Sequence, residues 1–322
     1  MRQRCRLLYI FEYSHFLQSK RSVVKIKLWL QAFRLRTLPL AFTSIGMGAT
    51  LAWYEMLFSW PILIGAALTT LFLQILSNLA NDYGDFHNGA DNEQRVGPKR
   101  AMQSGSITEK EMKAAIVIFI LLSLVSGVGL LYVVFKEQPF SGLPVLFFLL
   151  GIASIAAAVK YTAGKNPYGY KGLGDVFVFV FFGWVGVCGT YFLMTRQWDW
   201  HVLLPATTIG LFSAAVLNVN NIRDIEADRS AGKKTLAMRL GPVYARWYHV
   251  LLIMTGITCT AVFAGIESIE YSWLLCFAFL PVLWNAFKVY STKESERVDP
   301  FLKQMVFSSL TFLLIFILVV SL

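Results

Sequence analysis

The sequence predicts an all-α, polytopic membrane protein with about nine transmembrane helices, and three observations carry that reading. Hydrophobic residues make up 56% of the 322 residues and charged residues 15%, with a mean hydropathy of +0.57, far from a soluble domain's mix. Apolar runs of about 18–22 residues recur along the whole length, long enough to cross the hydrocarbon as helices that satisfy their own backbone. Of the 29 Lys and Arg, only Lys136 and Arg196 fall in the connections after odd-numbered spans. That asymmetry predicts a cytoplasmic N terminus and cytoplasmic connections after spans two, four, six and eight.

The net charge of +10 is therefore assigned to anionic lipid and an anionic substrate, and nothing in its placement calls for nucleic acid. Cys5, Cys188, Cys259 and Cys276 form no CxxC pair, and three of them sit inside apolar runs. They read as small packing residues rather than metal ligands or disulfides.

In chain order, residues 1–22 form a basic N-terminal extension. It has no cleavage pattern, and its short apolar run is interrupted by Glu12, so a signal peptide is not expected. A cytoplasmic lead and an over-extended reading frame both remain open. From residue 23 to 322 the chain reads as one membrane domain. KIKLWLQAFRLRTLPLAF alternates apolar and basic residues, an interfacial helix running into Pro39. Arg36 lies near the first span's cytoplasmic end, as a lipid anchor or a ligand contact. Spans are expected near 38–55, 60–81, 114–135, 141–159, 176–195, 201–221, 247–266, 271–287 and 303–322. The connection at 160–175, KYTAGKNPYGYKGLGD, holds three Tyr, three Lys and four Gly. It reads as an ordered cap over a site rather than a plain connector.

Two carboxylate clusters follow spans two and six. In the first, Asn78, Asp82 and Asp85 stand at i, i+4 and i+7 and share one helix face. Gly89 is expected to break that helix and let Asp91 fold back. In the second, Asn220, Asp224 and Asp228 recur at i, i+4 and i+8, followed by Lys233 and Lys234. A lone pair of acids at a helix end would be ordinary solvated surface. Two such clusters, each preceded by Asn and each on the basic side, predict a shared metal site. Close carboxylates need a cation, and Mg²⁺ is commonly held by one or two carboxylates plus phosphate oxygens. Such a site suits a diphosphate, stabilising the charge that develops as it leaves, with Lys and Arg completing the cradle. Membrane placement predicts that the diphosphate carries a long apolar tail.

AFRLRTLPLAF, NLANDYGDFHNGAD with RVGPKRAMQSGSIT, YTAGKNPYGYKGLGD and NVNNIRDIEADRSAGKKTLAMRLG, in this order and spacing, resemble the UbiA-type intramembrane aromatic prenyltransferases over about residues 25–322. Within that family the likeness is to the branch acting on 1,4-dihydroxy-2-naphthoate in menaquinone synthesis. The resemblance implies nine helices around a central cavity, two Mg²⁺ ions and a polyprenyl diphosphate donor. It implies that Asp82, Asp85 and Asp91 hold one Mg²⁺, and Asp224 and Asp228 the other. Where the general family pattern has a third aspartate this chain has Gly89, and Asp91 takes over the role. Asn78, Asn81, Arg223, Lys233 and Lys234 would support the diphosphate or its metals, and Tyr161 and Lys165 would contact substrate. Arg36 is the expected partner of the acceptor's carboxylate. The implied product is demethylmenaquinol, with loss of CO₂ and diphosphate, made at a bacterial cytoplasmic membrane. Two other readings stand beside it. One is the same chemistry on another acceptor, such as 4-hydroxybenzoate or homogentisate. The other is a divalent-cation transporter, disfavoured because spans three to nine carry no acidic residue to line a path.

Overall fold

The structure is a computed structural model that describes residues 25–89, 100–139, 141–164 and 167–322, except for the side chain of Arg36. The expectations for residues 1–22, Asp91, Lys165 and the Arg36 side chain fall outside the described residues. Among these residues there is no strand.

The chain enters through α1, residues 25–32, lying against the helices that follow it. Phe33, just after it, meets Phe119 edge-on at 5.4 Å between ring centres, and Ala32 is buried with Ile75, Leu79 and Met112. The interfacial helix does not run into Pro39 as expected. Arg34 adopts a left-handed conformation (φ 50°), a 3₁₀ turn spans Leu35–Thr37, and α2 (Leu38–Tyr54) then begins with Pro39 in its first turn. Asn78 Nδ2 donates to the Phe33 carbonyl at 2.9 Å, supplying a partner at the point where the chain leaves the helix.

The 28 residues of α3 (Trp60–His87) extend about 42 Å at 1.5 Å per residue, well beyond the roughly 30 Å hydrocarbon layer. The second expected span therefore stops short of the real helix, and Asp82 and Asp85 occupy its overhanging turns. The helix ends at Asn88, and Gly89 follows with φ +71°, the break expected there. α4 (Glu109–Phe135) opens with a Thr108–Glu111 capping box, which satisfies its first backbone donors. α5 (Gly142–Lys160) buries only Pro144.

The fifth span, Gly174–Thr195, contains α6 (Gly174–Val178), a ten-residue π-helical stretch (Phe179–Cys188) and α7 (Gly189–Thr195). Asp175 belongs to the first turn of α6 and is buried, so this span carries an acid that the sequence reading placed in the preceding loop. The π stretch frees backbone groups, and Ser44 donates to the Phe182 carbonyl. It also passes α8 (Leu203–Arg223) at very close range. A Cβ on Gly183 would lie 2.6 Å from the Ala206 carbonyl oxygen and 2.9 Å from Gly210 Cα. α8 is the central helix, with 67% of its most apolar stretch buried. A short α9 (Ile225–Ser230) follows, then α10 (Leu236–Ile266), kinked at Gly241–Pro242, α11 (Leu275–Ser291) and α12 (Asp299–Ser321). Phe212 of α8 packs edge-on against Phe312 of α12 at 5.3 Å within the main core.

Eight of the described helices are long and apolar enough to cross a membrane. The first expected span, α2, has 17 residues, about 26 Å, at the short end of the range for a crossing helix.

Candidate active site

A cavity of about 760 Å³ lies among α2, α3, α4, α5, the fifth span and α8. Its walls are of two kinds. Asn78, Asn81, Asp85, Asn220, Asp224 and Asp228 line one end, while Leu124, Leu146, Phe147, Leu150, Phe181 and Trp184 line the body. The division follows from helix length, because the overhanging end of α3 and the end of α8 carry polar side chains and the membrane-embedded turns do not.

On the α3 side, Asp82 and Asp85 are buried and each faces cations from other segments. The left-handed turn at Arg34 aims its guanidinium at Asp82. Arg100 Nε lies 3.4 Å from Asp82 Oδ1, and its Nη1 donates to Asp85 Oδ2 at 2.6 Å. With its side-chain amide turned so that the oxygen faces Arg34, Asn81 accepts from Arg34 Nη1 at 3.1 Å and donates to Asp85 Oδ2 at 2.9 Å. Asp85 Oδ1 also accepts from the Tyr170 hydroxyl at 2.7 Å.

The second half is built where α8 stops. Asp224 leaves helical geometry (φ −97°, ψ 12°) between α8 and α9. The i→i−4 bonds survive this kink, with the Asp224 amide donating to Asn220 O at 3.2 Å and the Asp228 amide to Asp224 O at 2.8 Å. Asn220, Asp224 and Asp228 thus still line the same cavity, as their spacing predicts. Arg223 grips Asp224 with Nε to Oδ1 at 2.7 Å and Nη2 to Oδ2 at 2.6 Å. Asp228 Oδ2 accepts from Thr235 Oγ1 at 3.4 Å. Burial, reinforced by the Asp224 and Asp85 carboxylates and opposed by Lys233, pushes the Asp228 carboxyl up to about 6.

Lys233 joins the two halves. Its Nζ lies 3.8 Å from Asp85 Oδ1 and 3.7 Å from Asp228 Oδ1, so one ammonium spans aspartates from separate clusters. Lys234 next to it is exposed, and its backbone amide donates to Tyr170 O at 2.9 Å. The described residues of the 160–175 connection fold over the aspartates. Residues Tyr168–Lys171 make a 3₁₀ turn, Tyr170 reaches Asp85, and Arg239 Nη2 donates to Lys171 O at 2.8 Å. Thr162 Oγ1 donates to Ala80 O at 3.0 Å. Its backbone approaches Gly84 so closely that a Cβ there would sit 2.4 Å from the Thr162 carbonyl. Tyr161 and Tyr168 line the cavity. Burial, then the Asp85 charge, holds the Tyr170 hydroxyl far above the usual tyrosine range, so it remains a donor at neutral pH.

Of the expected site residues, the structure brings together Asn78, Asn81, Asp82, Asp85, Arg223, Asp224, Asp228, Lys233 and Tyr161. Arg34, Arg100 and Tyr170 were not among them, although all three contact the aspartates. The donor set fits Mg²⁺, which takes hard oxygen ligands. Among the described residues the aspartates do not converge into one closed cage; the group whose ligand atoms come within 4.8 Å of one another is Asp199, His201 and Glu267, at the opposite end of α8. Mg²⁺ is commonly held by one or two carboxylates plus phosphate oxygens, and each cluster offers two buried aspartates among the described residues.

The chain is 42% identical over 299 residues to the 1,4-dihydroxy-2-naphthoate octaprenyltransferase of Haemophilus influenzae, covering 91% of this chain and 95% of that one. It is also 42% identical over 303 residues to the enzyme of the same name from Escherichia coli, covering 93% and 97%. Among solved structures, a UbiA homologue from Aeropyrum pernix shares the fold with a TM-score of 0.65 at 16% identity, covering 89% of this chain and 98% of that one. A UbiA homologue from Archaeoglobus fulgidus bound to GPP and Mg²⁺ matches with a TM-score of 0.62 at 16% identity, covering 90% and 100%. The UbiA prenyltransferase family pattern spans residues 40–315, and the chain belongs to that family.

Proposed function

We propose that this protein transfers a polyprenyl group from polyprenyl diphosphate to 1,4-dihydroxy-2-naphthoate, with loss of diphosphate and CO₂, giving demethylmenaquinol. The observation that carries the reading is Lys233 bridging Asp85 and Asp228 at the polar end of a long apolar cavity. A diphosphate head fits the polar end and a polyprenyl tail fits the body. The relatives at 42% identity, matched over nearly their whole length and named for this acceptor, support the acceptor assignment.

In this reading Asp82, Asp85 and Asp91 hold one Mg²⁺, and Asp224 and Asp228 hold a second. Bound Mg²⁺ supplies Lewis-acid stabilisation of the departing diphosphate. The chain's own residues do the rest. Arg34, Arg100 and Lys233 neutralise the aspartates and stand within reach of phosphate oxygens. Tyr170 fixes the Asp85 carboxylate from the cap side. The cap limits water at the allylic carbon, so the electron-rich naphthoate ring is the nucleophile that meets it. Arg36 and Lys165 keep their expected roles as contacts to the acceptor's carboxylate and to substrate. The site faces the cytoplasm of a bacterial inner membrane in the orientation set by the Lys and Arg distribution.

Purified protein with Mg²⁺, 1,4-dihydroxy-2-naphthoate and polyprenyl diphosphates of several lengths tests the reading. A prenylated, decarboxylated quinol is the expected product. Folded protein that yields none, or that selects 4-hydroxybenzoate or homogentisate from a mixture, overturns the acceptor assignment.

A further inference from the structure

The second aspartate pair is tied to the C-terminal helix through one guanidinium. The Arg223 side chain is 0% exposed, and its nitrogens already have partners. Nε and Nη2 take the two oxygens of Asp224 at 2.7 and 2.6 Å, Nη2 also donates to Asn220 Oδ1 at 2.8 Å, and Nη1 pairs with Asp299. Four of its N–H donors are taken up within the protein and the side chain does not line the cavity, so Arg223 is a strut beneath Asp224 rather than the diphosphate contact expected of it. Asp299, the first residue of α12, is the other carboxylate on this buried guanidinium and is itself 42% exposed.

We propose that Asp299 is a positioning residue for the second metal half-site, acting on Asp224 through Arg223; the inference rests on Asp224 being a metal ligand. A buried guanidinium held by one carboxylate forms a closed neutral pair, and its positive charge opposes a nearby divalent cation. With Asp299 on Nη1, the triad carries a net negative charge, and Asp224 retains the charge that attracts Mg²⁺. The two contacts also pull the guanidinium from opposite sides, which fixes the Asp224 carboxylate in place.

The bland role for Asp299 is a first-turn acid that favours the helix dipole. Local packing separates the two. The start of α12 is held independently, because Asn285 Nδ2 donates to Phe301 O at 2.9 Å and the buried His249 ring lies 2.8 Å from Asn285 Oδ1. Removing the Asp299 charge therefore leaves α12 docked and alters what Arg223 does to Asp224.

The test uses full-length purified protein with inorganic diphosphate and Mn²⁺ as the probe, read by electron paramagnetic resonance of bound metal, alongside thermal melting. Asp299→Asn is expected to weaken Mn²⁺ binding by about five- to tenfold, a charge-removal effect at short range across a partly wet site. Asp299→Glu, which keeps the charge, is expected to bind within about twofold of wild type. Wild-type binding by Asp299→Asn with only a lowered melting temperature overturns the proposal and leaves the helix-dipole role. If Asp299→Asn fails to fold, Asp299→Ser is read in its place: Mn²⁺ binding weakened by about five- to tenfold supports the proposal, and binding near wild type overturns it. No Mn²⁺ binding by wild type would instead sink the metal-site reading itself.

Discussion

Asp85 is the most heavily engaged carboxylate of the site, facing Arg100, Tyr170 and Lys233. Each of these donors comes from a different segment, so the charge is shared by three parts of the chain. Asp85→Asn is expected to lower turnover by at least about a hundredfold, since it removes a proposed metal ligand and leaves cations without an anion. Asp82→Ala and Asp224→Ala should abolish turnover while membrane insertion and helix content, measured by circular dichroism, stay unchanged. Tyr170→Phe deletes one hydrogen bond to a charged group, worth about 1.5–3 kcal/mol, and should reduce kcat/KM for the prenyl diphosphate by roughly ten- to a hundredfold. Full activity in Tyr170→Phe would remove the cap from the account. The aspartates were legible in the sequence because i, i+3 and i+4 spacing states a shared helix face. Arg34 and Tyr170 were not, because their pairing depends on a left-handed turn and a folded cap that no periodicity announces.

Among the elements, the apolar runs located the spans, but several helices outrun them. α3 continues six residues past the expected 60–81, and α10 begins eleven residues before the expected 247–266. Beyond the hydrocarbon a helix needs no apolar side chains, so hydropathy marks the membrane and not the helix. The overhanging turns of α3 carry Asp82 and Asp85. The fifth span hides a different feature, since ten residues of π helix share the hydropathy of an α helix. Its contact with α8 depends on glycine at Gly183, where a Cβ would strike the Ala206 carbonyl at 2.6 Å. Gly129 in α4 has open space, with nothing within 4 Å of an added Cβ. Gly183→Ala is therefore expected to destabilise by about 1–3 kcal/mol, whereas Gly129→Ala should be neutral or slightly stabilising. Thermal unfolding of both in the same detergent makes the comparison, and equal shifts would mean that the π segment can move aside.

At the scale of the molecule, the arrangement is a polar mouth on an apolar chamber. α5 supplies part of the chamber wall through Leu146, Phe147, Leu150 and Gly151. The chamber was not legible in the sequence, because it arises from how helices of ordinary apolar composition splay apart, and Phe or Leu at a wall reads the same as Phe or Leu in a core. If the tail of the donor lies there, its wall sets which donors are used. Gly151 of α5 lines the chamber, and an added Cβ would meet nothing within 4 Å, so Gly151→Phe starts from open space at the chamber wall. A short allylic diphosphate needs only the polar end and the first part of the chamber, whereas a long one must pass this position. Turnover of a long-chain polyprenyl diphosphate by Gly151→Phe should fall by about tenfold or more, the scale expected when buried groups must be squeezed out or displaced. Turnover of geranyl diphosphate should stay within about twofold of wild type. Side-by-side kinetics with the two donors give the answer: an equal loss for both would place the tail outside this chamber, and a selective loss for the long donor would make α5 a determinant of chain length.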